Sequence, residues 1–445
     1  MGQTSIKGAC VTRAHGGDFA VIGSGIAGMS AAWLLSRRHR VTLYETETRL
    51  GGHSHTVDVN GTPVDTGFIV YNEPNYPNLS ALFRHLGVET AASDMGFSVS
   101  LDNGALEYAG SLPGLLAQPS ALFRRDYWRM LADTVRFYRE APKTLTGNCR
   151  QSLGEYLAEN HYSEAFARLH LLPMGAAIWS SSVADMMAHP TEAFARFFVN
   201  HGLFQFAGRP QWRTVKGGSV EYVKTLTEGF AQNARLGTGV KTILRSANAV
   251  TIVDDKGGRS SFDGVVVAAP ADKALAMLAD PTEEERTLLG AFRYRPNQVV
   301  LHSDASLMPK RKRAWASWNY LGHGGDAADA DLCVTYWMNK LQPIGGKPVF
   351  VTLNPPRPPR EELTHGIYTC AHPMFDAGAI AAQSRLWHLQ GAQRSWFCGS
   401  YWGSGFHEDA LQAGLAAAED AGGARRPWRV ENESGRIVRL ATALA

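Results

Sequence analysis

Residues 18–52 constrain the fold more than any other stretch; they read DFAVIGSGIAGMSAAWLLSRRHRVTLYETETRLGG. Phe19 to Ile22 is a short apolar run with the character of a buried strand. Gly23, Gly25 and Gly28 follow as G-x-G-x-x-G around Ser24, Ile26 and Ala27, and Met29 to Leu35 continues with helix formers. A second apolar strand, Val41 to Tyr44, ends on Glu45. Strand, glycine turn, helix, strand and terminal acid make a dinucleotide-binding unit. Gly23 permits the tight turn, Gly25 lets backbone amides approach a pyrophosphate, and Gly28 lets helix and strand pack closely. The helix N-terminus offers unpaired N–H groups and a partial positive charge to phosphate. Glu45, 22 residues after Gly23, is placed to accept hydrogen bonds from a ribose hydroxyl. The plainer reading is a glycine turn in some other α/β protein.

The chain has 445 residues, enough for two domains and a large core. Apolar residues make up 44% and charged residues 19%, the balance of a globular chain. A net charge of +3 is too small to argue for a nucleic-acid partner. Five scattered cysteines contain no C-x-x-C, so neither a zinc cluster nor a disulfide redox pair is indicated and no metal is expected. The odd count suits a reducing cytoplasm. No run of about 18 apolar residues occurs, so no spanning helix is expected. Residues 1–17 lack an apolar signal core and read as a flexible leader.

Arg49-Leu50-Gly51-Gly52 follows Glu45 and Thr46 closely. Here the chain resembles the flavin-containing amine oxidase and carotenoid desaturase superfamily, in which R-x-G-G after the ribose-binding acid lies along FAD. The resemblance implies FAD, held non-covalently because Cys398 sits where relatives carry a small strand residue. His53 stands where many members have arginine, and His53-Ser54-His55 then offers hydrogen bonds to phosphate or flavin. The resemblance brings Gly67 and Phe68 of Asp65-Thr66-Gly67-Phe68 against the isoalloxazine; an ordinary strand-end glycine is the alternative. It also puts Val240 by the adenine. Asp263 to Pro270 reads as the returning apolar strand of the sheet, ending at Ala269.

The second signature runs from Ser395 to Ala410, SWFCGSYWGSGFHEDA, and continues into an alanine-rich helix, Leu411 to Asp420. It resembles the superfamily's C-terminal FAD motif. Gly399, Ser400, His407, Glu408, Asp409 and Ala410 are the matching cofactor-binding positions. In relatives the helix start points at the flavin pyrimidine edge, where it stabilises the negative charge of the reduced ring. Glu408 and Asp409 are also expected to cap this helix. The small residues Ala413, Gly414 and Ala416 allow tight packing.

The expected class is α/β: a discontinuous Rossmann-like FAD-binding domain at 18–70, 211–290 and 385–425. An α+β substrate or cap domain of helices plus an antiparallel sheet is inserted at 71–210 and 291–384, and 426–445 forms a tail. Asn60-Gly61 signals a hairpin. Residues 78–90 and 121–140 read as helices, and 151–206 as mainly helical. Strands are expected at Gln298–Leu301, Ala314–Tyr320, Leu332–Met338 and Pro348–Leu353. Trp179, Met186, Met187, Phe194, Phe197, Phe198, Phe204 and Phe206 either line a greasy tunnel or form the core of a helical cap. Two clusters are basic and aromatic: 121–140, and Lys310-Arg311-Lys312-Arg313 beside Trp315 and Trp318. Each reads either as a solvated surface or as a lipid-headgroup contact.

Three functions remain open: a dehydrogenase, oxidase or desaturase of an apolar molecule, an amine oxidase on a primary amine or polyamine, or a flavoprotein with structural FAD. Tyr401 and Trp402 offer the aromatic rings that hold amines in amine oxidases. GGHSHTVDV, AAIWSSS, YWMNKLQ and FHEDAL resemble one bacterial branch of FAD/NAD-binding oxidoreductases. Its members accompany cyclopropane-fatty-acid-synthase-like methyltransferases, and some are implicated in desaturating methylated acyl chains towards furan fatty acids. That resemblance implies a lipid acyl substrate; the expected chemistry is hydride transfer from an acyl C–H to flavin N5, with O2 or a quinone as the electron acceptor. The resemblance also points to a methyltransferase in the same pathway. The cysteine count gives the expected cytoplasmic location, and the basic clusters, in their lipid-headgroup reading, put the protein at the inner membrane surface. His372 and His407 are the first candidates for the base, His53 and His55 the next. A hydrogen-bonded turn is the other reading of His372-Pro373.

Overall fold

The computed structural model describes residues 16–146, 151–179, 182–322 and 333–439. Its first layer is a five-stranded parallel sheet ordered Ala234–Arg235, His39–Tyr44, Gly16–Ile22, Gly264–Val267, Ser395–Phe397. Strands from distant parts of the chain thus meet in one sheet. Val265, Val266 and Val267 are fully buried, as an apolar run covered on both faces requires. The glycine-turn helix, Ile26–Leu35, lies against the C-terminal helix, His407–Asp420. A Cβ on Gly414 would fall 2.2 Å from the carbonyl oxygen of Ala27, so the two helices meet backbone to backbone.

The second layer is a seven-stranded sheet. Its order is Thr364–Met374, Arg293–His302, Phe350–Leu353, Cys333–Trp337, Trp318–Gly322, Phe97–Leu101, Leu106–Ala109. It is antiparallel except where Trp318–Gly322 runs parallel to Phe97–Leu101. Helices between Arg125 and Asn200 cover the far side as a cap.

Several expectations change. The strand anticipated at Ala314–Tyr320 is Trp318–Gly322, and the sheet recruits two strands from the first insertion. His372-Pro373, for which a hydrogen-bonded turn is the alternative reading, lies instead within an eleven-residue edge strand, Thr364–Met374. Pro373 is tolerated there because an edge strand has N–H positions without a ladder partner. The helix read at 78–90 ends at Leu86, stopped by Gly87 at φ +67°. The basic helix begins at Arg125 after a short 3-10 turn. Asn60 and Gly61 both take positive φ and close the expected hairpin. Gly16 and Gly17 belong to the first strand and not to a leader; residues 1–15 lie outside the described residues. The described part of the C-terminal tail, residues 426–439, packs on the body of the protein. Arg426 is buried and hydrogen-bonded to Glu419 and Asn78, and Trp428 stacks on Trp33 at 5.8 Å. Among the described residues, no helix is long and apolar enough to cross a membrane.

Candidate active site

A cavity of about 940 Å³ runs between the two layers. One end is walled by the glycine turn, Gly23 to Ala27, with Glu45 and Thr46 beyond it. A Cβ on Gly25 would meet no protein atom within 4 Å, so the turn leaves room for a ligand against its backbone. A Cβ on Gly28 would lie 1.9 Å from the Gly23 carbonyl oxygen; this glycine packs beneath the turn and does not line the cavity. The helix that starts after Gly25 has no side-chain cap, which leaves its first amides open to an anion. Glu45 is held at the strand end. Its Oε2 accepts from Ser24 N and Oγ at 2.8 and 2.6 Å, and its Oε1 from Glu47 N at 2.9 Å. An open amide cradle beside a fixed carboxylate fits a pyrophosphate joined to a ribose. The residues present therefore fit FAD.

Gly51, Gly52, His53, Gly67, Phe68, Val240 and Ala269 continue the wall, and Gly399, Ser400, His407 and Ala410 close it from the C-terminal motif. Arg49, Leu50, Ser54, Trp402, Glu408 and Asp409 do not line it. Arg49 pairs with Glu47 at 2.9 Å, and Leu50 packs on the core. Trp402 is buried with its ring against Trp387, which removes it from the proposed aromatic pair; Tyr401 alone reaches the wall. Asp409 caps its own helix through Phe406 N at 2.8 Å. Glu408 caps a different helix, accepting from Asn78 N and Leu79 N at 3.0 and 2.9 Å. Asp65 faces away from the cavity and accepts from Ser219 N and Gln342 Nε2.

Three histidines of the cavity wall, His53, His372 and His407, converge. The rings of His53 and His372 lie 6.0 Å apart, and His407 stacks on Phe68 at 3.9 Å. His55 instead hydrogen-bonds Thr66 and lies edge-on to Tyr368. Desolvation is the main cause that lowers His372, to about 4, and His407, to about 3, with His53 adding to both. They are neutral at pH 7 and able to accept a proton. Asn297 Nδ2 lies 3.4 Å from His372 Nδ1, and Cys370 Sγ lies 3.6 Å from Nε2. His53, Cys370 and His372 bring one donor atom each within 4.8 Å of one another, close enough for a metal ion. Burial holds the Cys370 thiol at about 11, which favours a neutral thiol over a thiolate ligand.

Sequence reasoning missed Tyr222, whose hydroxyl bridges Ser54 Oγ and His407 Nε2, and also Asn297 and Arg209. Nothing local marks them, because each acts through a contact distant in sequence.

The other end of the cavity is apolar. Phe97, Met174, Ile178, Trp318, Tyr336 and Leu353 line it, together with Trp179 and Phe197 of the anticipated aromatics. Met186, Phe194 and Phe198 are buried in the cap core instead. Trp318 thus belongs to the cavity and not to the surface cluster with which it was read. Arg209 is exposed and lines the cavity, marking an opening through the cap.

This fold and site define an FAD-dependent oxidoreductase. The family model for flavin containing amine oxidoreductase matches residues 26–342, and the chain belongs to that family. A Mycobacterium tuberculosis protein with the provisional name flavin-containing monoamine oxidase AofH is 26% identical, over 72% of this chain and 70% of its own length. A coproporphyrinogen III oxidase of Mycobacterium leprae is 26% identical, over 59% and 61%. Putrescine oxidase bound to putrescine superposes with TM-score 0.63 at 14% identity, covering 91% of this chain and 98% of that one. The CLA-producing fatty acid isomerase from P. acnes gives 0.60 at 15%, covering 90% and 97%.

Proposed function

We propose that the protein dehydrogenates an apolar substrate, the fatty acyl chain of a lipid, and leaves a C=C bond. The observation that carries this is the charge of the cavity wall. Among its described residues the one carboxylate is Glu45, engaged at the glycine turn, and the one charged group at the apolar end is Arg209. An amine arrives as a cation and finds no acid there, while the guanidinium repels it. An acyl chain gains about 0.8 kcal/mol for each CH2 it buries against such a wall.

FAD held along the glycine turn supplies the hydride acceptor. His372 takes the neighbouring proton, since its imidazole is neutral and its ring is steadied by Asn297 and Cys370. The apolar wall excludes water from the reacting carbons. His407 is the second candidate base. The electron acceptor is O2 or a quinone. The methylated substrate is expected from a cyclopropane-fatty-acid-synthase-like methyltransferase, with the enzyme working as a peripheral protein at the inner membrane surface. The fatty acid isomerase that shares this fold supports the acyl reading.

Amine oxidation is the competing reading, favoured by relatives and structural neighbours that carry amine-oxidase names. Anaerobic flavin bleaching separates them. Detergent-dispersed lipids with mono-unsaturated or methylated acyl chains are expected to bleach the flavin, and putrescine is not. The reverse pattern establishes the amine reading, and no reduction by either favours structural FAD.

A further inference from the structure

We infer that the cap carries a docking face for an anionic phospholipid bilayer, with the cavity opening at its rim; the role of that rim rests on the lipid reading above. Nine large apolar side chains are exposed among the described residues, and five belong to this part of the molecule. They are Leu112, Leu116, Phe123, Trp128 and Phe206, with Phe123 91% and Leu112 76% exposed. Contacts join them into one surface. The turn Leu112–Leu115 packs on Lys312–Ala314, and Tyr127 donates to Leu115 O at 2.9 Å. Trp128 Nε1 donates to Leu122 O at 2.8 Å, which holds the indole on the outer face of the helix Arg125–Glu140. At the far end of that helix Phe206 stacks on Tyr138 at 5.2 Å, three residues before Arg209 at the opening.

The same surface is basic. Arg124, Arg125, Arg129, Arg139, Lys312 and Arg313 are exposed and make no ion pair with a described residue. Arg136 differs, pairing with Asp133 at 3.3 Å. Asp126 is the exposed acid on the helix. The two basic clusters, nearly two hundred residues apart in the chain, therefore share a face. Unpaired cations interleaved with protruding aromatic and leucine side chains complement anionic headgroups over an apolar interior. A second copy of the chain would set arginine against arginine.

The test is co-sedimentation of the FAD-loaded protein with phosphatidylcholine vesicles, with and without phosphatidylglycerol. The wild type is expected to bind the anionic vesicles and to be released by salt. R124E/R125E/R129E is expected to bind on the order of a hundredfold more weakly. F123S/W128S is expected to lose binding while the charge is unchanged. Both variants lie outside the cavity and keep the visible flavin spectrum, which reports folding. Absence of binding, equal binding to neutral vesicles, or a dimer that these substitutions dissociate overturns the inference. Flavin bleached by detergent-dispersed lipid without vesicle binding would refute the docking face alone. Vesicle binding without bleaching would refute the substrate reading and leave the face standing.

Discussion

The phenol oxygen of Tyr222 lies 2.7 Å from Nε2 of His407, and its other partner is the hydroxyl of Ser54. One buried hydroxyl thus ties the helix Val220–Thr227 to the C-terminal motif and to the segment after the double glycine. Tyr222→Phe leaves the buried Ser54 Oγ and the part-buried His407 Nε2 without this partner. We expect a loss of about 1–3 kcal/mol in stability, read from thermal unfolding of the FAD-loaded protein.

His372→Ala is expected to slow anaerobic flavin reduction by about 10²–10⁴-fold while the protein keeps its FAD. Because burial holds this imidazole near 4, the acid limb of the reduction rate should fall near pH 4 and not near 6.5. Stopped-flow reduction across pH reads both. An acid limb at the ordinary histidine value would assign the proton transfer to another group.

The same burial makes stability fall with acid. An unfolded histidine binds a proton below about pH 6.5, whereas folded His372 waits until about 4 and His407 until about 3. Their contribution is fully present above pH 6.5 and lost as pH falls from there towards those folded values. Denaturant midpoints measured at pH 7 and pH 5 should drop accordingly, and H372N should flatten part of the slope.

Glu45→Ala removes the acid expected to bind the ribose and frees the Ser24 amide. FAD affinity should weaken by about 1–3 kcal/mol, measured by flavin titration of the apoprotein. Unchanged affinity would mean that the cofactor does not reach this strand end.

Acid precipitation should leave the flavin in the supernatant. Cys398 is fully buried and its thiol is pushed up by that burial, which disfavours the thiolate that attachment needs. A yellow pellet would show a covalent link, with Cys370 on the cavity wall as the cysteine to replace next.

Sequence alone determined the nucleotide end of this protein. Glycine turns, an acid at a strand end and a small-residue helix are local devices whose chemistry depends on spacing within a few residues. Gly25, Glu45, Gly399 and Gly414 therefore announce themselves. Tertiary structure decided the rest. Trp318 and Trp315 are near neighbours in the chain, yet only Trp318 reaches the cavity. Glu408 reads as a cap for its own helix, but its carboxylate reaches another helix start 330 residues away. Packing of the edge strand Thr364–Met374 against the loop after the double glycine brings His372 near His53, and Tyr222 of the helix Val220–Thr227 meets His407; such contacts depend on which distant faces meet, and no local pattern of residue types encodes that meeting.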